Sequence, residues 1–317
     1  MTFYRGRRVL VLGGSGFIGT NLTRRLVDAG AVVTTTSAHA LTAATPSRAA
    51  HHVMWQASDV DGLRALVQSA EVVFALFGHS GAVRSLREPE ADLKINCGGQ
   101  LALLEAVRIE RPDAKVVFPG SRLQFGRVSE LPVPETHPME PLDVYGVHKL
   151  ASEKYYQIYH RVYGLRTTVL RITNPFGPGQ PADRRVYGFV NGLVHRAVAD
   201  ETLTIFGDGG QLRDVIYADD LADAFLAVAA TPATDGEVYN VGSGVGVPIA
   251  EIARTIVRLA GRGRIEHTAW PPLAELVETG DFVADVGRIS KTVDWRPRVS
   301  LTDGLVRTIA AYREGPS

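Results

Sequence analysis

The strongest constraint on the fold lies near the start of the chain. The apolar run VLVL (Val9–Leu12) stops against GGSGFIG (Gly13–Gly19), and a helical pattern continues to Ala29 and Gly30. A short apolar run ended by glycines and resumed as a helix is a strand–turn–helix unit. Gly13 permits the tight turn, Gly16 lets backbone approach a pyrophosphate, and Gly19 lets helix and strand pack closely. The helix N-terminus adds free N–H groups and a partial positive charge for the phosphates. This context turns a glycine pattern into a dinucleotide site.

The first half of the chain repeats this alternation. AVVTTT is followed by a loop, Gly62–Ser69 reads as helix, and EVVFALF reads as strand. LKINCGGQLALLEAVR then precedes AKVVFPG, and a helix through Tyr145 precedes RTTVLRI. Strands separated by helices imply a parallel sheet covered on both faces. After Ile172 the texture changes, because TNPFGPGQPADRR is a Pro- and Gly-rich loop. Beyond it come one helix, the short strand LTIF and the turn GDGGQ. DVIYADDLADAFLAVAA resumes the strand-to-helix pattern, with Asp219 or Asp220 suited to cap the helix. Val241–Ser317 holds two helical stretches. The expected architecture is α/β: a doubly wound Rossmann-type parallel sheet (1–175, with 214–240 returning to it) and a smaller C-terminal α/β substrate-binding lobe (176–213 and 241–317). A cleft between the two is the expected substrate site.

Composition excludes several other classes. Lys+Arg and Asp+Glu both number 34, so the zero net charge leaves no electrostatic footprint for nucleic acid or an anionic membrane. Cys97 is the only cysteine, which removes an internal disulfide and a four-cysteine zinc site, and fits a reducing cytoplasm. RGRRVLVLGG reads as a strand and not an export signal. No stretch approaches the roughly 18 apolar residues that a membrane span needs. His51 and His52 are adjacent and point apart, and no H-E-x-x-H spacing is present, so no metal is expected. Asp219, Asp220 and Asp223 read as a helix cap and solvated face. There is no G-x-S-x-G elbow for a serine hydrolase.

Chemistry is carried by DVYGVHKL, residues 143–150. Tyr145 and Lys149 stand four apart on a helix, one above the other on one face. A lysine held there could stabilise a phenolate and make the tyrosine a usable base. The dinucleotide type is less defined. An acid at the end of the second strand would hold the ribose hydroxyls of NAD, but that strand ends Thr34-Thr35-Thr36-Ser37. Thr36 and Ser37 could instead donate to a 2′-phosphate, aided by His39 or Arg48. The cofactor is therefore read as NAD or NADP, with NAD ahead.

GGSGFIG, PGSRLQFG (Pro119–Gly126), YGVHK (Tyr145–Lys149), LRITNPFGPG and GDGGQLRDVIYADDLADAF occur in the order found in one family. Together they resemble the extended short-chain dehydrogenases/reductases, and within them the NAD(P)-dependent nucleotide-sugar epimerase/dehydratase group, most of all the UDP-hexose 4-epimerases. The likeness runs from about Val9 to the final helix. It implies that Tyr145 exchanges a proton with a sugar hydroxyl, that Lys149 binds the nicotinamide ribose and lowers the tyrosine pKa, and that Ser121 hydrogen-bonds the reacting oxygen. It implies cofactor contacts at Gly13, Gly16, Phe17, Ile18, Gly19, Thr36, Ser37, Asp59, Val60, Leu76, Phe77, Gly78, Asn96 and Ile172, besides Tyr145 and Lys149. Ser80, Arg122, Asn174 and Arg213 fall at substrate positions, with Asn174 and Arg213 on the diphosphate. It further implies a homodimer paired through the Asn96–Arg108 and Tyr145–Tyr163 helices.

The resemblance also ranks the reactions. Dehydratases carry an Asp-Glu pair directly after the catalytic Ser/Thr, and UDP-glucuronate decarboxylases a Glu; here Arg122 and Leu123 follow Ser121. An apolar Leu cannot transfer a proton, so elimination lacks its acid. Epimerisation, at C4 through a transient keto-sugar, needs only Ser121, Tyr145, Lys149 and a retained nicotinamide. The alternative is an NADPH-dependent nucleotide-sugar ketoreductase, with a decarboxylase or a non-catalytic dinucleotide-binding protein behind it. Three departures stand out. Leu12 replaces the usual Thr and Phe125 the usual Tyr. In VETGDF, Glu278 lies where many epimerases place an arginine on the diphosphate. A glutamate there would repel phosphate, so either Arg184 or Arg185 substitutes or the substrate is not the usual UDP-hexose.

Overall fold

The computed structural model describes residues 2–39, 51–180 and 188–314. Arg48, Arg184 and Arg185 lie outside the described residues. In chain order the strands are β1 (Arg8–Leu12), β2 (Val32–Ser37), β3 (His51–Met54), β4 (Val72–Ala75), β5 (Lys115–Ser121) and β6 (Arg166–Ile172). They continue with β7 (Asn174–Phe176), β8 (Thr202–Phe206), β9 (Leu212–Tyr217), β10 (Val238–Val241), β11 (Gly246–Pro248) and β12 (Arg264–Thr268).

Seven strands form one parallel sheet in the order β10-β6-β5-β4-β1-β2-β3. Its central strands are continuous apolar runs because helices cover both faces. One layer buries Val9, Val11 and Phe74 against Leu22, Leu26 and Phe225. The other buries Leu10, Leu12 and Phe118 against Leu63, Leu103 and Tyr156. Strand order reverses between β1 and β4, and the crevice at the carboxyl ends of those strands is where such sheets bind ligands. The glycine turn opens there.

A second core lies outside the large sheet. Phe176, Val194, Ile205, Tyr217, Ile252 and Leu305 pack together under two small sheets, β11-β9-β7 and β12-β8. Four readings of the sequence need correction here. Residues Asp214–Tyr217 do not return to the large sheet, because β9 pairs with β7 and β11; only the following helix (Ala218–Ala230) and β10 return. The segment after Val241 holds four helices, Ile249–Ala260, Pro272–Leu276, Gly287–Val293 and Leu301–Glu314, not two. The short edge strand β3 was read as loop, since HHVM carries no apolar alternation and His51, Val53 and Met54 are exposed. Nor do Asp219 or Asp220 cap their helix. Asp219 pairs with Arg24, Asp223 pairs with Arg25, and Asp220 accepts from the Arg298 and Val299 amides.

Candidate active site

The cofactor crevice is built from backbone. Gly13 has φ +83°, and a Cβ there would come within 2.8 Å of the Phe77 nitrogen. A Cβ on Gly19 would meet the Gly13 carbonyl at 2.4 Å, so that glycine lets helix and turn touch. Gly16 differs: its Cβ would meet only the Gly13 carbonyl at 3.3 Å. Its requirement is set by what approaches from the cleft. The helix Phe17–Asp28 starts at Gly16 with no side-chain cap and no acid in its first turn. Its N–H groups thus face the crevice unclaimed by a carboxylate, which fits a pyrophosphate. Phe17 and Ile18 open that helix, half-buried.

Several residues expected at the cofactor also hold the framework of the crevice. Thr36 is buried and its Oγ1 accepts from the Gly13 N–H at 3.1 Å. Ser37 donates to the His39 carbonyl and lies 3.0 Å from His52 Nε2, while His52 Nδ1 is 2.9 Å from Thr35 Oγ1. The Ser37 hydroxyl is thus committed as a donor, and the Thr36 oxygen is turned to the glycine turn. Asp59 caps the helix Val60–Gln68 by accepting from Gly62. Asn96 is buried in a π-helical turn (Lys94–Gly98), accepts from the His79 N–H and donates to the His79 carbonyl and Asp92. It shapes the Leu76–Phe77–Gly78 loop after β4. A Cβ on Gly78 would strike the Asn96 amide oxygen at 2.4 Å. Ser80 is exposed on the same loop, and Ile172 ends β6, buried.

Ser121, Tyr145 and Lys149 do converge. Ser121 ends β5 and caps the turn Arg122–Gln124, accepting from Leu123 N–H while the Gln124 side chain accepts from the Ser121 N–H at 2.6 Å. The Tyr145 helix (Val144–Tyr163) starts at Asp143, which accepts from Gly146. A Cβ on Gly146 would lie 2.6 Å from the Leu123 carbonyl, so glycine lets this helix press against the Ser121 turn. The Tyr145 hydroxyl consequently lies beside that of Ser121. Lys149 Nζ donates to the Pro119 carbonyl at 2.8 Å and lies 5.7 Å from the centre of the Tyr145 ring. Burial pushes the Tyr145 hydroxyl up, partly opposed by the nearby Ser121 hydroxyl. Burial pushes the Lys149 ammonium down to about 7. Burial, more than the lysine's charge, therefore dominates the tyrosine, contrary to the sequence expectation.

A polar chain behind Ser121 escaped the sequence reading. Gln124 donates to Glu153 at 2.7 Å, and Arg171 grips Glu153 with two N–H groups at 2.8 and 2.7 Å. All three side chains are buried. The S-x-x-Q spacing of Ser121–Gln124 is a capping-box signature and was the available signal. Ser85 is likewise buried, and its Oγ accepts from the Tyr145 N–H at 2.9 Å, fixing the start of the helix.

On the other side of the cleft, Arg213 on β9 is only 4% exposed and pairs with Glu278. The segment through Phe282 runs beside β9, with Asp214 N–H bonded to the Phe282 carbonyl, and this brings Glu278 to Arg213. Glu278 is therefore a partner for an arginine. Asp214, next to Arg213 in sequence, accepts instead from Ser243, Gly244 and Ala284. Asn174 on β7 donates to the Asp214 carbonyl, and its Oδ1 lies 3.3 Å from Arg122 Nε. Arg122 Nη1 donates to Thr279 at 2.8 Å. Burial first, then the neighbouring Arg213, lower Arg122 to about 9, which leaves it charged near neutral pH. No helix is long and apolar enough to cross a membrane, and no cluster of metal-ligating side chains occurs, among the described residues.

Comparison with known proteins agrees with this geometry. The family model for the NAD dependent epimerase/dehydratase family matches residues 9–242. UDP-glucose 4-epimerase of Mycolicibacterium smegmatis is 30% identical, over 96% of this chain and 98% of that protein. The crystal structure of UDP-glucose 4-epimerase with UDP-glucose from Thermotoga maritima superposes with a TM-score of 0.88 at 28% identity, covering 97% of this chain and 99% of the other. UDP-glucuronic acid 4-epimerase from Bacillus cereus, in complex with UDP-glucuronic acid and NAD, superposes with a TM-score of 0.85 at 27% identity, covering 97% and 99%.

Proposed function

This chain belongs to the NAD dependent epimerase/dehydratase family, and we propose that it epimerises a nucleoside-diphosphate sugar at C4 through a transient keto-sugar. The observation that carries this reading is the convergence of Ser121, Tyr145 and Lys149 at the carboxyl end of β5, beside the crevice of the open glycine turn. NAD, held at that crevice, would supply reversible hydride transfer at the sugar carbon.

The protein's own groups manage the proton. Ser121 orients the reacting hydroxyl, and Tyr145 accepts its proton and later gives it back. The Tyr145–Lys149 pair is best treated as one unit. Below about pH 7 it carries two protons, on the phenol and the ammonium, and holds no base. Above that it carries one, which burial keeps on the phenol, so the free Lys149 amine is the base that lets Tyr145 pass on a proton. Lys149 would also meet the nicotinamide ribose. Gly13, Gly16 and Gly19 would admit the pyrophosphate, and Asn174 with Arg213 would face the substrate diphosphate. The NADPH ketoreductase alternative relied on Thr36 and Ser37, whose hydroxyls hold the glycine turn, His39 and His52.

A homodimer is part of the same proposal. The Gly99–Glu110 and Val144–Tyr163 helices leave Leu101, Ile109, Val147, Ile158, Val162 and Tyr163 exposed. Val147, Ile158 and Val162 follow helical spacing, so their faces can join as a bundle between two copies. A cytoplasmic location accords with the nucleotide-sugar substrate and the single buried thiol.

The test is turnover of UDP-hexoses followed by proton NMR. Interconversion of C4 epimers without added reductant supports the reading, and NADPH-dependent accumulation of a reduced sugar contradicts it.

A further inference from the structure

Two of the three groups that converge at the end of β5 share a helix face, and the third does not. Tyr145, Lys149 and Glu153 stand at intervals of four on the Val144–Tyr163 helix, so they line one face. Ser121 belongs to β5 and has to be held against that face. Glu153 supplies a link. Its carboxylate accepts from Gln124 Nε2 at 2.7 Å, and Gln124 Oε1 accepts from the Ser121 N–H at 2.6 Å. A backbone N–H needs an acceptor and a carboxylate needs a donor, so both ends of the Gln124 amide are specified. Arg171, which stands opposite Gly120 in the β5–β6 ladder, grips the same carboxylate with Nε and Nη2. Its Nη1 donates to the Glu135 carbonyl at 2.8 Å.

Room for this chain is built into β5. A Cβ on Gly120 would lie 2.7 Å from Gln124 Oε1 and 3.3 Å from Arg171 Cγ. The surroundings are otherwise apolar, with Arg171 Cζ 4.9 Å from the Phe125 ring centre and Val169 Cγ1 facing Gly120. Burying a carboxylate and a guanidinium there carries a desolvation cost that packed apolar side chains would avoid. Stability alone is therefore a poor reason for the pair, and the chain it anchors ends on Ser121. The hydroxyl of Ser121 is fixed as well. It accepts from the Leu123 N–H at 3.2 Å, which leaves its own hydrogen to be donated.

We infer that Gln124, held by the Glu153–Arg171 pair, is a positioning residue that sets Ser121 in register with Tyr145 and Lys149. The reacting hydroxyl then meets Ser121 and Tyr145 in one geometry. This rests on the epimerase reading, in which Ser121 orients that hydroxyl.

The experiment is a double-mutant cycle on C4 epimerisation by the NAD-loaded protein, with UDP-glucose or UDP-glucuronate, whichever the wild type turns over. Amide hydrogen exchange of the same variants is followed by NMR. Gln124→Leu keeps the volume and removes both hydrogen bonds. Its kcat should fall by about 10- to 100-fold, while substrate KM and NAD affinity change by less than about twofold. In a Ser121→Ala background the same substitution should change kcat by less than about twofold, because nothing is left to position. The Leu123 amide, which meets the Ser121 hydroxyl, should exchange about tenfold faster in Gln124→Leu. Should that variant not fold, Gln124→Met takes its place. The wild type is decisive by itself: its Ser121 and Leu123 amides should exchange as slowly as those within β5, and fast exchange there would overturn the inference. Equal kcat losses with and without the Ser121 hydroxyl would make Gln124 merely structural and overturn it too, as would an unchanged kcat. Absence of epimer from the wild type would take down the epimerase reading alone. The Leu123 exchange then decides the inference, and an unchanged rate in the variant overturns it.

Discussion

The two walls of the cleft are built differently. The cofactor wall is backbone and glycine: Gly13, Gly16 and Gly19 lie within seven consecutive residues, and a Cβ on Gly13 or Gly19 would collide with neighbouring backbone. The substrate wall is made of side chains far apart in sequence. Arg122 after β5, Asn174 on β7, Arg213 on β9 and Glu278 near the end meet through hydrogen bonds spanning up to 157 positions. A wall written locally tolerates little change but can be read from sequence. A wall assembled over long range depends on tertiary pairing and can exchange charges among positions.

Breaking the chemistry where the walls meet should have the largest effect. Tyr145→Phe removes the proton acceptor but keeps the ring, and kcat should fall by about 10²- to 10⁴-fold with NAD binding retained. Full turnover in that variant would remove Tyr145 from the proton transfer. Next comes the support behind Ser121. Glu153→Ala leaves Arg171 buried without its partner and should cost about 3–5 kcal/mol of stability, read by urea unfolding. A cost near zero would mean that the chain behind Ser121 is ornamental.

The cofactor wall itself can then be probed. Gly19→Ala forces a methyl onto the Gly13 carbonyl and should destabilise the protein by roughly 1–3 kcal/mol while weakening NAD binding. Retained NAD affinity, measured by calorimetry, would show the turn to be more pliant than its contacts imply. On the substrate wall, Glu278→Gln frees Arg213 and should lower the substrate KM by roughly 3- to 10-fold with kcat little changed. A raised KM would instead assign Glu278 a direct role in holding substrate.

What could be read in advance follows the same division. The parallel sheet, the glycine turn and the Tyr145–Lys149 spacing depend on residues close in sequence, and Ser121 came from its motif. Long-range pairing decided the rest. Glu278 looked hostile to phosphate because its sequence neighbours do not include Arg213. Thr36 and Ser37 looked free because nothing local shows the Gly13 amide or the His52 ring. β9 looked like a sheet-returning strand because its apolar pattern does not name its partner, and that partner proved to be β7.

The pH dependence tests the acid–base pair directly. The pair loses its first proton near pH 7, so kcat/KM should rise about tenfold per pH unit below that value and level off above it. Lys149→Met should move the rise upward, because burial keeps the remaining phenol well above its ordinary range.

The central claim is that one sugar carbon gives up a hydride and receives the same hydride back. The most direct measurement uses UDP-sugars deuterated at C4, both the glucose and glucuronate forms, with substoichiometric protein and no added cofactor. The account predicts C4 epimers that retain the deuterium at C4. Absence of epimer, or deuterium lost from C4 to solvent or to free reduced nicotinamide, would contradict it.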